Sequence, residues 1–158
     1  MRWYKFSIVF AIGLIAEVVI AALSCALIKQ NGEWLAKLIL PGFAPKNFAV
    51  YGILMEINYL SSALSCAFYV KEKRELPKGV MLLFVEGLSD VVTLAFFFRF
   101  TYEITSFFFA TATMILGVVV TSFHLKKSWI AGVARLPVLS IHSFLWSVLY
   151  CILMLNFT

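Results

Sequence analysis

Long apolar runs alternate with short polar stretches along the chain, and the length of each run indicates its structure. A helix needs about 20 residues to cross a hydrocarbon core roughly 30 Å thick. Because lipid offers the backbone no hydrogen-bond partner, each run of that length is expected to be helical, and no alternating barrel-strand pattern competes. Five runs qualify: 6–28, 48–70, 79–98, 104–123 and 129–157. The sequence therefore predicts an all-α membrane protein, a five-transmembrane-helix bundle forming a single domain over residues 1–158.

Composition and charge agree with a chain that has the lipid bilayer as its main partner. Of its 158 residues, 63% are hydrophobic and 13% charged, and the mean hydropathy is +0.97. The net charge of +5 comes from residues scattered between the runs, so no nucleic-acid partner is expected. The N-terminus, 71–78 and 124–128 together hold eight Lys/Arg, against four on the other side. The richer side should be cytoplasmic, which predicts a multi-pass protein of the cell membrane with its N-terminus inside.

One connection is long, and it covers residues 29–47. It contains EWLAKLILPGFAPKN, in which Trp34, Leu38 and Pro41 have helical spacing. Long loops in compact domains are commonly functional or disordered, and an apolar loop of this kind favours function. It predicts a short amphipathic turn, either on the membrane surface or folded over the mouth of the bundle. An interfacial anchor with Trp34 at headgroup level stays open as the alternative.

Ionisable side chains inside apolar runs are costly and usually face the interior of a bundle. On the third run, Glu86, Ser89, Asp90 and Thr93 share one narrow helical face. The first run has a stripe of small and polar residues through Glu17, and Arg135, His142 and Trp146 align on the fifth. The ionisable candidates are Glu17, Glu56, Glu86, Asp90, Arg135 and His142.

These residues allow three interpretations. Two carboxylates four residues apart in a low dielectric cannot both ionise cheaply, so one is expected to be protonated or paired with Arg135. The cluster is then a satisfied set of packing contacts, a proton or cation relay through Glu17, Glu86, Asp90 and His142, or the polar end of a ligand pocket. In the last case Arg135 or His142 would meet an anionic group on a flat apolar ligand.

Motifs for catalysis and metal binding are missing from the sequence. No HExxH, CxxC, phosphate-binding glycine loop or nucleophile elbow occurs, so we expect no enzyme, no catalytic residue, no cofactor and no metal site. The cysteines are best explained as packing residues. His124, beside two lysines, is expected to be a solvated loop residue, and the Ser and Ala residues of the second run are expected to allow close helix packing.

The long loop and the order of the later motifs resemble the TspO/MBR family, the tryptophan-rich sensory proteins and translocator (peripheral benzodiazepine receptor) proteins, as a divergent member. The loop matches at Trp34, Leu38, Pro41, Phe43 and Pro45. On the third run Glu86, Asp90 and Thr93 stand where the family has Gln, Asn and Trp. Further matches are Phe97, Phe98, Ala131, Pro137, Phe144, Leu155 and Asn156.

The resemblance implies a receptor or carrier, often a homodimer, that binds a hydrophobic ring ligand beneath the first loop. Family ligands are tetrapyrroles such as haem and protoporphyrin, or sterols. The resemblance implies that the loop forms a lid over the pocket, with lid residues Trp34, Pro41, Phe43 and Pro45. It implies pocket walls formed by Phe97, Phe144 and Trp146. Arg135 or His142 would hold an anionic group of the ligand. Leu54 and Asn58 replace family aromatic residues, which argues against porphyrin breakdown. A small proton-coupled transporter or channel and a membrane scaffold or assembly subunit stay open as alternatives.

Overall fold

The computed structural model describes residues 2–30, 34, 37–73 and 76–157, and this part of the chain is helical without strands. The helices are α1 Arg2–Gln30, α2 Phe48–Lys73, α3 Leu76–Leu94, α4 Glu103–Lys127, α5 Trp129–Val133 and α6 Leu136–Phe157. A π-helical turn, Ala95–Arg99, continues α3. Each predicted run corresponds to one long helix, except that the fifth is divided into α5 and α6. Parts of the predicted connections, 31–33, 35–36 and 74–75, lie outside the described residues.

Four segments of the described chain are long and apolar enough to cross a membrane. They are Phe6–Leu27, Ala49–Lys71, Glu103–Lys127 and Trp129–Asn156. The all-α class is confirmed. Four of the predicted spans are confirmed as helices of sufficient length and apolar composition. The segment in α3 is not in this set, and α3 carries Glu86 and Asp90 along its length.

α1 and α2 pack closely because small residues meet where they cross. A Cβ atom added at Gly13 would lie 3.4 Å from the Cβ of Ala63, so the backbones are already near contact. Ala63 and Ala67 are buried, and the Ser24 hydroxyl lies 3.0 Å from the Tyr59 hydroxyl. Small side chains at the crossing therefore serve close approach, as the sequence predicted for the second run.

Aromatic contacts fix which helix ends lie together. The rings of Phe6 and Phe68 are 5.0 Å apart, and Lys71 Nζ lies 3.2 Å from the centre of the Trp3 ring. Tyr69 also stacks on His124. The start of α1 and the ends of α2 and α4 thus share one end of the bundle, which we call the basic end.

The expectation that His124 is a solvated loop residue is wrong. α4 continues to Lys127, and His124 lies one turn inside its end, fully buried. It borders a core cluster that contains Tyr69, Val70 and Val120. Glu56 is a second correction, because this residue of α2 is exposed and does not join the interior polar groups.

Candidate functional site

The interior of the bundle holds a buried ion pair between Arg135 and Glu86. Arg135 lies in the turn between α5 and α6, is fully buried, and donates from Nη2 to both carboxylate oxygens of Glu86. Its Nη1 donates to the Ser62 hydroxyl at 2.9 Å. The guanidinium is held in one position because Nη2 is bound to Glu86 and Nη1 is bound to Ser62.

His142 continues this network from Glu86 to Asp90. Its Nδ1 lies 3.6 Å from Glu86 Oε1, and its Nε2 lies 3.3 Å from Asp90 Oδ2. Asn58 Nδ2 donates to the same Asp90 oxygen at 3.2 Å. An unsubstituted position in α4 makes room for this arrangement, since a Cβ at Gly117 would lie 3.0 Å from His142 Nδ1 and 3.1 Å from Glu86 Oε1.

Glu17 approaches the same interior from α1. It is buried, and its Oε2 has no hydrogen-bond partner within the part of the chain that the structure describes. Leaving a buried carboxylate oxygen unpaired is costly unless the group is neutral or water reaches it. Among the described residues the interior therefore contains three carboxyl groups, of which Glu86 contacts Arg135 and His142 and Asp90 contacts His142.

A cavity of about 80 Å³ lies between this network and the first loop. Asp90 and His142 form its polar boundary together with Thr93 and Thr113, while most of the wall is apolar. The remaining lining residues are Leu40, Tyr51, Met55, Leu94, Phe97, Phe98, Ala110, Leu145, Trp146, Val148, Leu149 and Ile152. A largely apolar cavity with a few convergent polar groups is the usual form of a small-molecule site.

The π-helical turn explains why two consecutive phenylalanines both face this wall. Phe97 and Phe98 are both buried and pack edge to face with ring centres 5.0 Å apart. On a regular helix, neighbours point about 100° apart, whereas a π turn carries one extra residue and changes the direction of the side chains that follow. The turn also brings the Tyr102 amide within 2.9 Å of the Phe96 carbonyl.

The first loop packs over this end of the bundle. Leu40 lines the cavity, and Ala44 is buried in a cluster with Phe97 and Phe98. The ring of Trp34 lies 5.2 Å from that of Phe97 in an edge-on contact. Asn156, near the end of α6, accepts from the Ile39 amide at 2.8 Å and donates to the Ile39 carbonyl at 3.0 Å. The Asn156 side chain therefore attaches the loop to α6 through two hydrogen bonds to Ile39.

The structure brings together four of the residues predicted for the site, namely Asp90, Phe97, His142 and Trp146. The other loop and wall candidates stand behind the lining or outside it; these are Trp34, Pro41, Phe43, Pro45 and Phe144. Trp34 and Phe144 pack against the cluster that forms the wall. Phe43 is 55% exposed, with its ring 6.3 Å from that of Phe144.

Arg135 does not line the cavity, and the expectation that Arg135 or His142 pairs with an anionic ligand group stays a prediction. Both of its terminal nitrogens are occupied by Glu86 and Ser62. Sequence reasoning missed Leu40, Tyr51, Met55 and Thr113 as lining residues. Leu40 lies inside the singled-out loop, but nothing in the pattern separated it from its neighbours.

The length, composition and packing of these helices are compatible with a multi-pass membrane protein, and the bundle contains an interior cavity. Neither a protein-family model nor a curated protein matches the chain.

Proposed function

We propose that the chain crosses the membrane five times and is a TspO-like receptor or carrier for an apolar ring ligand bound beneath the first loop. The crossing by α3 is supported by the direction of its side chains. Its two carboxylates, Glu86 and Asp90, are buried in the network, while the exposed positions that the structure describes include Met81, Phe84 and Leu88. A helix that shows lipid only apolar side chains can span despite internal charge.

The cavity is the observation that carries the proposal. Most of its lining is apolar, and Asp90 and His142 supply polar groups at one end. Leu40 lines it from the first loop, which Asn156 hydrogen-bonds to α6. Its volume of about 80 Å³ is below the roughly 300 to 1,000 Å³ of drug-sized ligand sites. A small ring compound suits the closed form, and a tetrapyrrole or sterol requires the loop to lift.

Tryptophan fluorescence tests this proposal, because the four tryptophans stand at different distances from the cavity. Protoporphyrin, haem and a sterol are titrated separately into detergent-solubilised protein. For protoporphyrin and haem we expect saturable quenching that is reduced most by Trp146→Phe, since Trp146 lines the cavity. Trp129→Phe is the matched control, because Trp129 is 73% exposed and belongs to α5. Sterol binding is followed by competition with the quencher. Absence of saturable quenching, or equal reduction in both variants, would refute the proposal for tetrapyrroles.

A second function, proton-coupled transport, is favoured by one observation. Glu17 is a buried carboxyl group with an unpaired oxygen beside a network that already contains Glu86, Asp90 and His142. Such a group can exchange a proton with its neighbours when water reaches it. Proteoliposomes under a pH gradient should then show proton flux that Asp90→Asn abolishes and Glu17→Gln reduces. Equal flux in empty liposomes and in the three proteins would exclude this function.

A further inference from the structure

We infer that the ligand of this cavity is an apolar molecule whose polar end donates hydrogen bonds and carries positive charge, such as a protonated amine on a ring. This inference rests on the proposed function, because it concerns what the same cavity selects. It follows from the hydrogen-bonding groups of the cavity wall, which keep acceptors available to a ligand while most of their donors are already used.

The acceptors are free to serve a ligand. Both hydrogen bonds to the Asp90 carboxylate, from Asn58 and from His142, fall on Oδ2. A carboxylate offers about four lone-pair positions on two oxygens, so Asp90 keeps acceptor capacity at the cavity wall. Negative charge bordering an apolar volume attracts a cation more strongly than it would in water.

Four of the hydrogen-bond donors in the wall are already in use. The Thr93 hydroxyl donates to the Ser89 carbonyl at 2.9 Å, and the Thr113 hydroxyl donates to the Phe109 carbonyl at 2.9 Å. Neither hydroxyl then has a proton left for a ligand, and the Thr113 oxygen also contacts the Ser89 hydroxyl. The Trp146 indole N–H donates to the Thr111 hydroxyl at 2.8 Å, and His142 Nε2 faces Asp90.

The cation that could have held an anionic ligand is withdrawn from the cavity. Arg135 is fully buried with its terminal nitrogens on Glu86 and Ser62, and it does not line the wall. An anionic group placed beside Asp90 would meet like charge with little positive charge to offset it. The same position suits an ammonium group, which has three donors and no acceptor.

The test uses three probes that share a naphthalene ring and differ at one substituent: naphthylmethylamine, naphthylmethanol and naphthoic acid. Binding to the full chain in detergent is measured by calorimetry near neutral pH. We expect the amine to bind at least about tenfold more tightly than the acid, the ratio expected of a charge-assisted hydrogen bond, with the alcohol between them. Asp90→Asn should remove most of the amine's advantage while the alcohol still binds.

A matched pair of variants separates binding in the cavity from uptake by the detergent. Ala110→Phe fills the cavity from α4, and Ala112→Phe places the same ring on the exposed side of that helix. Probe binding that Ala110→Phe removes and Ala112→Phe retains belongs to the cavity.

The outcomes distinguish the two proposals. Cavity binding in which the acid equals or exceeds the amine overturns the inference and leaves the proposed function standing. Equal cavity binding of all three probes does the same. Binding that neither variant changes, or no binding at all, overturns the assignment of the cavity as a ligand site and the inference with it. The ranking in the unmodified protein decides the matter even if Asp90→Asn does not fold.

Discussion

His142 and His124 are both buried in the same bundle, yet their surroundings differ. His142 lies between two carboxylates and borders the cavity. His124 lies at the basic end, where its Nδ1 is 2.7 Å from the Ser65 hydroxyl and its ring stacks on Tyr69 with centres 4.8 Å apart. Ser65 in turn donates to the Ala131 carbonyl at 2.7 Å, so its oxygen accepts from the imidazole.

The difference shows that burial of an ionisable side chain does not by itself indicate a functional site. Around His124 the space is filled by Tyr69 and by the Ser65 link between α2 and α5, and the histidine joins helices. Around His142 the charged partners are both residues of α3, and the side chain also lines the cavity. Access to that volume is what makes the second arrangement able to receive a ligand.

Arg135→Ala should have the largest effect and would sharpen this contrast. It leaves Glu86 buried without its cationic partner, and breaking a buried pair from one side costs about 3 to 5 kcal/mol of unfolding free energy. Thermal unfolding in detergent measures the loss, with Lys126→Ala as an exposed control near His124. A melting temperature equal to that of the control would show that the pair does not hold the interior together. Removing Glu86 as well should recover part of the loss.

Two glycines allow a matched test of the two histidine regions. A Cβ at Gly132 would lie 2.2 Å from Leu125 Cγ and 2.8 Å from its Cα, so Gly132→Ala must move backbone and should cost about 1 to 3 kcal/mol. The nearest atoms to a Cβ at Gly117 belong to the side chains of His142, Glu86 and Leu139, at 3.0 Å or more, so Gly117→Ala should cost less stability but change ligand affinity. Thermal unfolding and probe binding measured on both proteins check the assignment. If Gly132→Ala changed ligand affinity and Gly117→Ala caused the larger loss of stability, the assignment of the two regions would be wrong.

Ser65→Ala tests the His124 region alone. It removes the acceptor of the His124 Nδ1 proton and leaves a buried polar atom unpaired, which costs about 1 to 2 kcal/mol. Ligand binding should be unchanged, because neither Ser65 nor His124 lines the cavity. Chemical denaturation and the naphthalene probes measure the two properties. Lost binding with unchanged stability would contradict the separation of the regions. Ser61→Ala, on the half-buried side of the same helix, is the control.

Asn156→Ala should have the smallest effect on global stability, about 1 kcal/mol or less, since it acts through hydrogen bonds at a loop. It should increase amide hydrogen exchange over residues 37–47 and leave the basic end unchanged. Ligand release should become faster if the loop covers the cavity. Unchanged exchange in the loop would show that contacts such as Trp34 on Phe97 hold it without Asn156.

The sequence predicted the helices well because span length and composition are local properties. The face of α3 that carries Glu86, Asp90 and Thr93 followed from helical periodicity, and all three are buried as a set. The interpretation of His124 failed because its environment depends on where α4 ends, and helix ends are the least certain part of a sequence-based prediction. The fifth run is apolar throughout its first residues, so the sequence did not predict the break between α5 and α6 that contains Arg135.

The site itself was predicted only in part, because a cavity depends on how several helices rotate against one another. Met55, Tyr51 and Thr113 come from α2 and α4 and have no pattern that marks them as neighbours of Asp90. The choice of Arg135 partner could not be made from periodicity either, since Glu86 and Asp90 stand on the same face one turn apart. Geometry selected Glu86 and thereby removed the positive charge from the cavity wall.

The π-helical turn at Ala95–Arg99 has a consequence for changes in chain length. A π turn is an α-helix that has gained one residue, so deleting one residue there would let α3 continue as a regular helix. α3 would remain helical in the same direction, but Phe97 and Phe98 could no longer both line the cavity. Most single deletions in a packed helix destroy its register, whereas at this position a deletion would preserve the helix and reshape the cavity.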